Sequence, residues 1–455
     1  TRRPRTPGQI QTDTTDVTTQ LLRRWEIRGS LSFNKMRGFS RLLPIPMRID
    51  QTTMKFNTND ITLTNAHLHL GKSDFMLNGE INRIRQAMLR GGKLRGNFSL
   101  TSDYIDCNQL MKAMNSGMQY SEQHLATTGQ SVMDEESFVT MDTHTLQDSI
   151  ATATLDTTDR VFVIPAYLDI TLHTNAQKID FKDAELTNVL GEVIIRDQSI
   201  NLSNLKMDSN IGRGNMTMFY TAKDYSGASV GFDLDMEDVM VEKLIGLYPA
   251  IDTLVPMLRS FEGVVDCQVT ATCKMDSTMS LELPSLHSAC YLHGENMVLL
   301  DGETFTEISK TLMFKNKKRN VIDSISVDLA IKDNKIEVFP FLVEMDRYKV
   351  AVGGTHNLDM TFNYHLSVLK SPVPFKLGID ITGNLDDFKY KIVKCRYKDL
   401  FKPAKEAELD STRTNVRKEI RESIRNQIKE TAPELVSSLS PNHTVTPPEG
   451  ETNAL

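Results

Sequence analysis

Ser199-Ile200-Asn201-Leu202-Ser203-Asn204 alternates apolar and polar residues, and the same register returns in Asp60-Ile61-Thr62-Leu63-Thr64-Asn65 and in Lys335-Ile336-Glu337-Val338-Phe339-Pro340. Alternation with period two puts every second side chain on one face, so each segment reads as a half-buried β-strand. Seven residues after each Ile stands another apolar residue (Leu68, Met207, Val343), then a polar turn, then a second alternating run: Phe75 to Gly79, Met216 to Met218, Val350 to Gly354. Strand, turn and returning strand, used three times, point to one repeated β-rich unit rather than to unrelated domains.

Outward from these segments the alternation runs from Met47 to the region of Asp399, with Val264 to Lys274 and Phe375 to Thr382 as further examples. The pattern predicts a mainly β fold: an elongated, repetitive antiparallel sheet curled into an open groove, with a few short helices near residues 105–114, 238–260 and 304–313 and a C-terminal helix. The expected organisation is a partly ordered N-terminal segment (1–46), a first β unit (47–116), an acidic Ser/Thr-rich linker or insert (117–160), a long β region (161–400), a charged C-terminal helix (401–435) and a disordered tail (436–455). Val161 to Leu168 reads as a strand-sized apolar patch. In the last helix Val416, Ile420, Ile424 and Ile428 recur at i+4 steps, a narrow slanted stripe suited to one crossing contact with a sheet end or a partner protein.

The 455 residues are 40% apolar, enough for a substantial core, and the net charge of −7 lacks the basic excess that nucleic-acid binding uses. Nucleic acid is therefore not an expected partner. No run approaches the roughly 18 apolar residues of a membrane-spanning helix. The sequence opens at Thr1 with Arg2, Arg3 and Arg5 close behind, and the expectation is that a preceding anchor segment is missing. Five cysteines are too few and scattered for a disulfide scaffold; Cys267 and Cys273 fall on one strand face too far apart to bridge, as small core residues.

Motifs that carry chemistry are scarce. Gly71-Lys72-Ser73 lacks the glycine and the strand-to-helix context of a phosphate-binding loop and reads as a hairpin turn, and Gly212-Arg213-Gly214 lacks the third glycine and the following helix of a dinucleotide fingerprint. His67 and His69 share a strand face and could bind a metal, though a polar solvent face explains them equally well, while His287, Cys290 and His293 scatter over two strand faces. Asp233, Asp235 and Glu237 alternate onto one face and read as a solvated edge. No nucleophile elbow or zinc-protease spacing occurs, so the chain is expected to be no enzyme and to need no cofactor, metal or catalytic residue.

The remaining signal is the apolar face itself. Ile200, Leu202, Met207, Met216, Met218, Ile336, Val338, Val343, Val350 and Val352 recur at matching repeat positions and would line a lipid groove. Acyl chains would gain about 0.8 kcal/mol for each methylene taken from water. The 22 methionines suit irregular apolar ligands. The alternative is that the face closes against a second sheet as a dry sandwich.

From about Leu281 to Asp399 the chain resembles the C-terminal region of the AsmA-like family, envelope proteins of Gram-negative bacteria related to TamB and to the bridge-like lipid-transfer proteins. The resemblance rests on Asn296 to Phe305 followed by Ile308 to Leu312, on Ile322 to Leu329, Asn334 to Pro340 and Val350 to Gly354 in that order, and most closely on Phe375 to Ile392 with its ending at Lys394 to Asp399. Residues 47–280 fit the family's repetitive β region more loosely, and the acidic insert and charged C-terminal helix have no counterpart in it. The resemblance implies an AsmA-like β region over 161–400 and a periplasmic protein, anchored in the inner membrane through the missing segment. Its groove would bind or carry phospholipid between inner and outer membrane and so affect outer-membrane biogenesis, with an envelope protein as partner at the C-terminal helix. The alternative is a closed scaffold that supports outer-membrane protein assembly without lipid.

Overall fold

The computed structural model describes residues 26–40, 43–90, 92–128, 161–182, 184–243, 261–299, 320–345, 348–357, 361–371, 376–384 and 387–436. These residues form one large, mainly antiparallel sheet with a few helices. The first strands are β1 (Arg28–Ser40), β2 (Leu43–Asn57), β3 (Ile61–Leu70), β4 (Ser73–Asn82), β5 (Leu94–Ser102) and β6 (Ile105–Asp106). Then follow β7 (Leu168–Phe181), β8 (Ala184–Arg196), β9 (Ser199–Ser209), β10 (Arg213–Asp224), β11 (Gly227–Met240), β12 (Phe261–Glu262) and β13 (Val264–Asp276). The last are β14 (His287–Leu299), β15 (Asn320–Lys332), β16 (Lys335–Met345), β17 (Tyr348–Asn357), β18 (Phe362–Lys370), β19 (Leu377–Gly383) and β20 (Phe388–Val393). Each long strand pairs with its neighbour in sequence. The exception is a parallel step from β5 to β7, bridged by β6 and a helix, and β12 extends β13 along β14. The sheet is open, with β1 and β20 as its edges.

The three repeats are three bulged hairpins. β3–β4, β9–β10 and β16–β17 lose register at the equivalent place, after Leu63, Leu202 and Val338, and Ala66, Leu205 and Phe341 then regain the face of Ile61, Ile200 and Ile336. Asn65 and Asn204 sit in the bulges with φ of 50° and 47°, a left-handed conformation that Asn tolerates better than other non-glycine residues. The backbone N–H of Asn65, left over by the bulge, donates to Asn78 Oδ1 at 2.8 Å. In the third unit Pro340 takes this place, where the ladder needs no donor. Each bulge adds twist and bends its strand.

Among the described residues the α-helices of four residues or more are α1 (Ile84–Arg90), α2 (Cys107–Thr128), α3 (Pro403–Thr431) and α4 (Pro433–Val436). α2 opens with Cys107 and Leu110 against Phe75, Leu100 and Ala176 of the apolar face. Several expectations are corrected. Helix α2 runs through residues 117–128 where a linker or insert was expected, and residues 238–240 belong to β11, with 241–243 helical among the described residues of that stretch. α1 was not foreseen; seven residues are too few to show a helical period. Val161 to Ile164 is no strand but an irregular segment laid over the sheet. The helix near 304–313, most of 244–260, the insert from 129 to 160 and the C-terminal tail lie outside the described residues.

The C-terminal helix packs on a sheet face rather than at a sheet end. α3 and α4 cross eight strands, from Ile194 on β8 to the carbonyl of Pro340 on β16, which accepts from Arg413. At about 1.5 Å per residue, Arg413 to Leu435 spans about 33 Å, and seven strand spacings of about 4.8 Å make about 34 Å, so the helix runs nearly perpendicular to the strands. Ile424, Ile428 and Leu435 are buried with Ile194 and Phe219. Gly231 lies opposite Phe219 on β11, where a Cβ would come within 2.3 Å of the ring; only glycine leaves room for it.

Candidate functional site

The two faces of the sheet differ in chemistry. One unbroken line of direct cross-strand partners runs from edge to edge: Leu31, Met54, Leu63, Gly79, Phe98 and Leu172, then Val193, Leu202, Met218, Phe232, Ala271 and Ser288, then Ile331, Ile336, His356, Phe362, Gly383 and Phe388. Only two glycines, one serine and one histidine interrupt it. Eighteen strands at about 4.8 Å each give an apolar row about 80 Å long along the sheet.

All ten groove candidates lie on this face. Ile336, Val338 and Val343 are buried in its largest cluster, where Cys267 and Cys273 also sit, and Val350 and Val352 join a second group with Val368, Ile379 and Ile381. Leu202, Met207 and Met216 pack near the start of α2. Ile200 and Met218 are covered by the chain itself: Val161 and Ile164, each 1% exposed, sit over them, and Tyr220 Oη holds the segment by donating to the Phe162 carbonyl at 3.1 Å and accepting from its N–H at 3.0 Å. Of the other candidates Met207, Ile336, Val338, Val343 and Val350 are themselves buried, and Leu202, Met216 and Val352 keep partial exposure.

The few polar groups on this face pair among themselves. His356 Nδ1 and Tyr364 Oη are 3.1 Å apart, and burial pushes the Tyr364 phenol up to about 12. The thiol of Cys267 beside Cys290, together with burial, pushes the Cys290 thiol well up. Cys107 is raised to about 11 by burial and by Asp106. At one rim Tyr104 donates to Asp180 at 2.7 Å, and that bond raises its phenol to about 12.

The opposite face is polar and receives α3 through an arginine ladder. Arg417 Nη2 meets Asp328 Oδ1 at 2.6 Å, reaches Gln268 Oε1 at 3.3 Å and stacks 5.2 Å over Tyr291. Arg413 lies 3.6 Å from the other Asp328 oxygen, and Arg421 meets Asp233 at 2.9 Å and Asp235 at 3.9 Å. Asp233 and Asp235 are thus docking points for the helix, not the solvated edge expected from sequence. His69 pairs with Asp50, and His293 with Ser326, while Cys290 faces the other way. Among the described residues no three His, Cys, Asp or Glu converge as a metal site, and no helix is long and apolar enough to cross a membrane.

One arrangement escaped the sequence reading. Asp380 Oδ1 lies 2.6 Å from His365 Nδ1, and His365 Nε2 lies 2.9 Å from Ser367 Oγ, the order of a Ser-His-Asp triad. Ser367 is fully buried, however, and its Oγ accepts from the backbone N–H groups of Arg396 and Tyr397 at 3.1 and 3.0 Å. With its lone pairs so engaged and no room for a substrate, the serine clasps residues 396–397 to the sheet, and Arg396 completes the clasp by pairing with Asp380. The alternation His365-x-Ser367 is legible in sequence; the partner across the ladder is not. Comparison with family models, curated proteins and solved structures gives no match.

Proposed function

We propose that the chain is a non-enzymatic, AsmA-like envelope protein whose sheet curls into an open groove and binds or carries phospholipid between the inner and outer membranes. The observation that carries this reading is the apolar row running edge to edge across an open sheet. A strand face of that length must be covered by something apolar, and acyl chains fit a continuous, featureless surface without catalytic or metal groups. The bulges in all three hairpins supply the bend that a groove needs. In this reading the protein lies in the periplasm, at the inner membrane. An envelope protein partner would meet the charged outer side of α3, since its apolar stripe is spent on the sheet.

A second reading, a closed scaffold that supports outer-membrane protein assembly without lipid, draws on Val161 and Ile164, which cover Ile200 and Met218 with protein. Mass spectrometry of a lipid extract of the purified chain separates the two. The expected result is co-purified phospholipid, lost in Val352→Asp with the fold retained, because a carboxylate among acyl chains costs several kcal/mol while a water-filled groove tolerates it. Met218→Asp, beneath the Val161–Ile164 cover, is expected to destabilise the fold itself. Absence of lipid from the unmodified chain, together with unfolding by Val352→Asp, refutes the carrier and favours the scaffold.

A further inference from the structure

The chain is acidic as a whole, yet its last sheet edge is basic. Of the eighteen residues from Phe388 to Lys405, seven are Lys or Arg, and Asp399 alone is acidic. Arg396 pairs with Asp380 and Lys402 with Asp399. Lys389, Lys391, Lys394, Lys398 and Lys405 are exposed and make no ion pair among the described residues. Among the described residues β20 bonds only to β19, and on its apolar side Tyr390 and Ile392 are 49% and 61% exposed, next to Phe388 where the apolar row ends. Charge repulsion alone does not call for that apolar pair.

We propose that this edge, β20 with the segment running to Lys405, docks the protein on an anionic membrane surface. Lysines supply the attraction to anionic headgroups while their methylene stems lie along apolar surface, and a tyrosine and an isoleucine beside them can enter the headgroup boundary. The same lysines discourage a partner strand from adding to the edge, which favours a lipid surface over a protein strand. The inference rests on the lipid-carrying reading only in choosing a membrane over another polyanion. It would bring the end of the apolar row to the bilayer.

The test is co-sedimentation of the whole chain with phosphatidylcholine vesicles, with and without phosphatidylglycerol, at low and raised salt. Binding is expected only to the phosphatidylglycerol vesicles and is expected to weaken with salt. Lys389→Glu, Lys391→Glu, Lys394→Glu and Lys398→Glu combined should weaken it by a hundredfold or more, at about fivefold per lysine, with circular dichroism unchanged. Lys223→Glu with Lys332→Glu, on remote hairpins, should leave it intact. The neutral set Lys389→Gln, Lys391→Gln and Lys398→Gln, which adds no repulsion, should still lose most of the binding. Equal binding to neutral vesicles, no binding to either kind, or full binding by the reversed variant overturns the proposal. Self-association of the chain that Ile392→Pro abolishes would instead overturn the proposal and assign the edge to a protein strand. Lost vesicle binding with co-purified lipid retained is a failure of docking and not of the groove; the converse is a failure of the groove alone.

Discussion

Replacing Asp328 by Ala should loosen the C-terminal helix more than any single arginine substitution on the helix. The Asp328 side chain is 10% exposed and lies between two guanidiniums, Arg417 at 2.6 Å and Arg413 at 3.6 Å, themselves 21% and 15% exposed. Removing the carboxylate leaves two largely buried cations facing an apolar side chain, a change that costs about 3–5 kcal/mol in comparable settings. Arg417 keeps Gln268 and the Tyr291 ring, and Arg413 keeps the Pro340 carbonyl, which places Asp328→Ala near about 3 kcal/mol. Arg417→Ala removes the Asp328 bond together with the longer Gln268 contact and the Tyr291 stacking, but it leaves Asp328 with Arg413 and strands no buried cation, so about 1.5–3 kcal/mol is expected. Hydrogen exchange of the amides from 413 to 431 reads this directly as local opening. At tenfold per 1.4 kcal/mol, Asp328→Ala should speed exchange about a hundredfold, and Arg417→Ala by less. Unchanged protection in Asp328→Ala, or a larger effect from Arg417→Ala, would refute the ladder as the helix's anchor.

Three further outcomes follow from single contacts. The Cys107 thiol, raised from its ordinary 9 to about 11, should resist alkylation at neutral pH and react faster as pH climbs toward 11. Because the folded state holds that proton more tightly, its contribution to stability is complete below pH 9 and lost as pH rises through 11. Asn204→Gly should keep the β9 bulge at little cost, whereas Asn204→Val should cost about 1–2 kcal/mol, read as a fall in melting temperature. Gly231→Ala should drive a Cβ into the Phe219 ring and cost about 1–3 kcal/mol by thermal denaturation; an unchanged melting temperature would mean that the ring is free to move.

The apolar face was legible because period two is a local property: Ile200, Leu202 and Met207 declare their side of the sheet from their own neighbours. Even the bulges left a trace, since the three segments share spacing through Leu68, Met207 and Val343. Features built from distant residues were not legible. Arg417 and Asp328 stand 89 residues apart, and nothing near Asp233 or Asp235 announces Arg421. Val161 to Ile164 reads as a strand because a short apolar run looks the same in a ladder or laid over one. The clasp at Ser367 needed the register of β18 against β19 to bring in Asp380.

Where the longest helix lies bears on function. A sheet with one polar and one apolar face needs cover only on the apolar side, and a chain that served only to bury its core would place its best helix there. Here α3 and α4 lie on the polar side, held by arginines, Asn201 with Thr431 and Arg196 with Glu434. Among the described residues the apolar side receives the start of α2, the Val161–Ile164 segment, Val241 and the connection carrying Leu281 and Leu286. A rod about 33 Å long fixed to eight strands sets their spacing from behind without occupying the face in front. If the apolar face takes lipid as proposed, this arrangement braces the sheet from behind without adding a long helix in front. Weakening the Asp328 anchor should therefore reduce co-purified lipid as well as helix protection, although Asp328 touches only the opposite face.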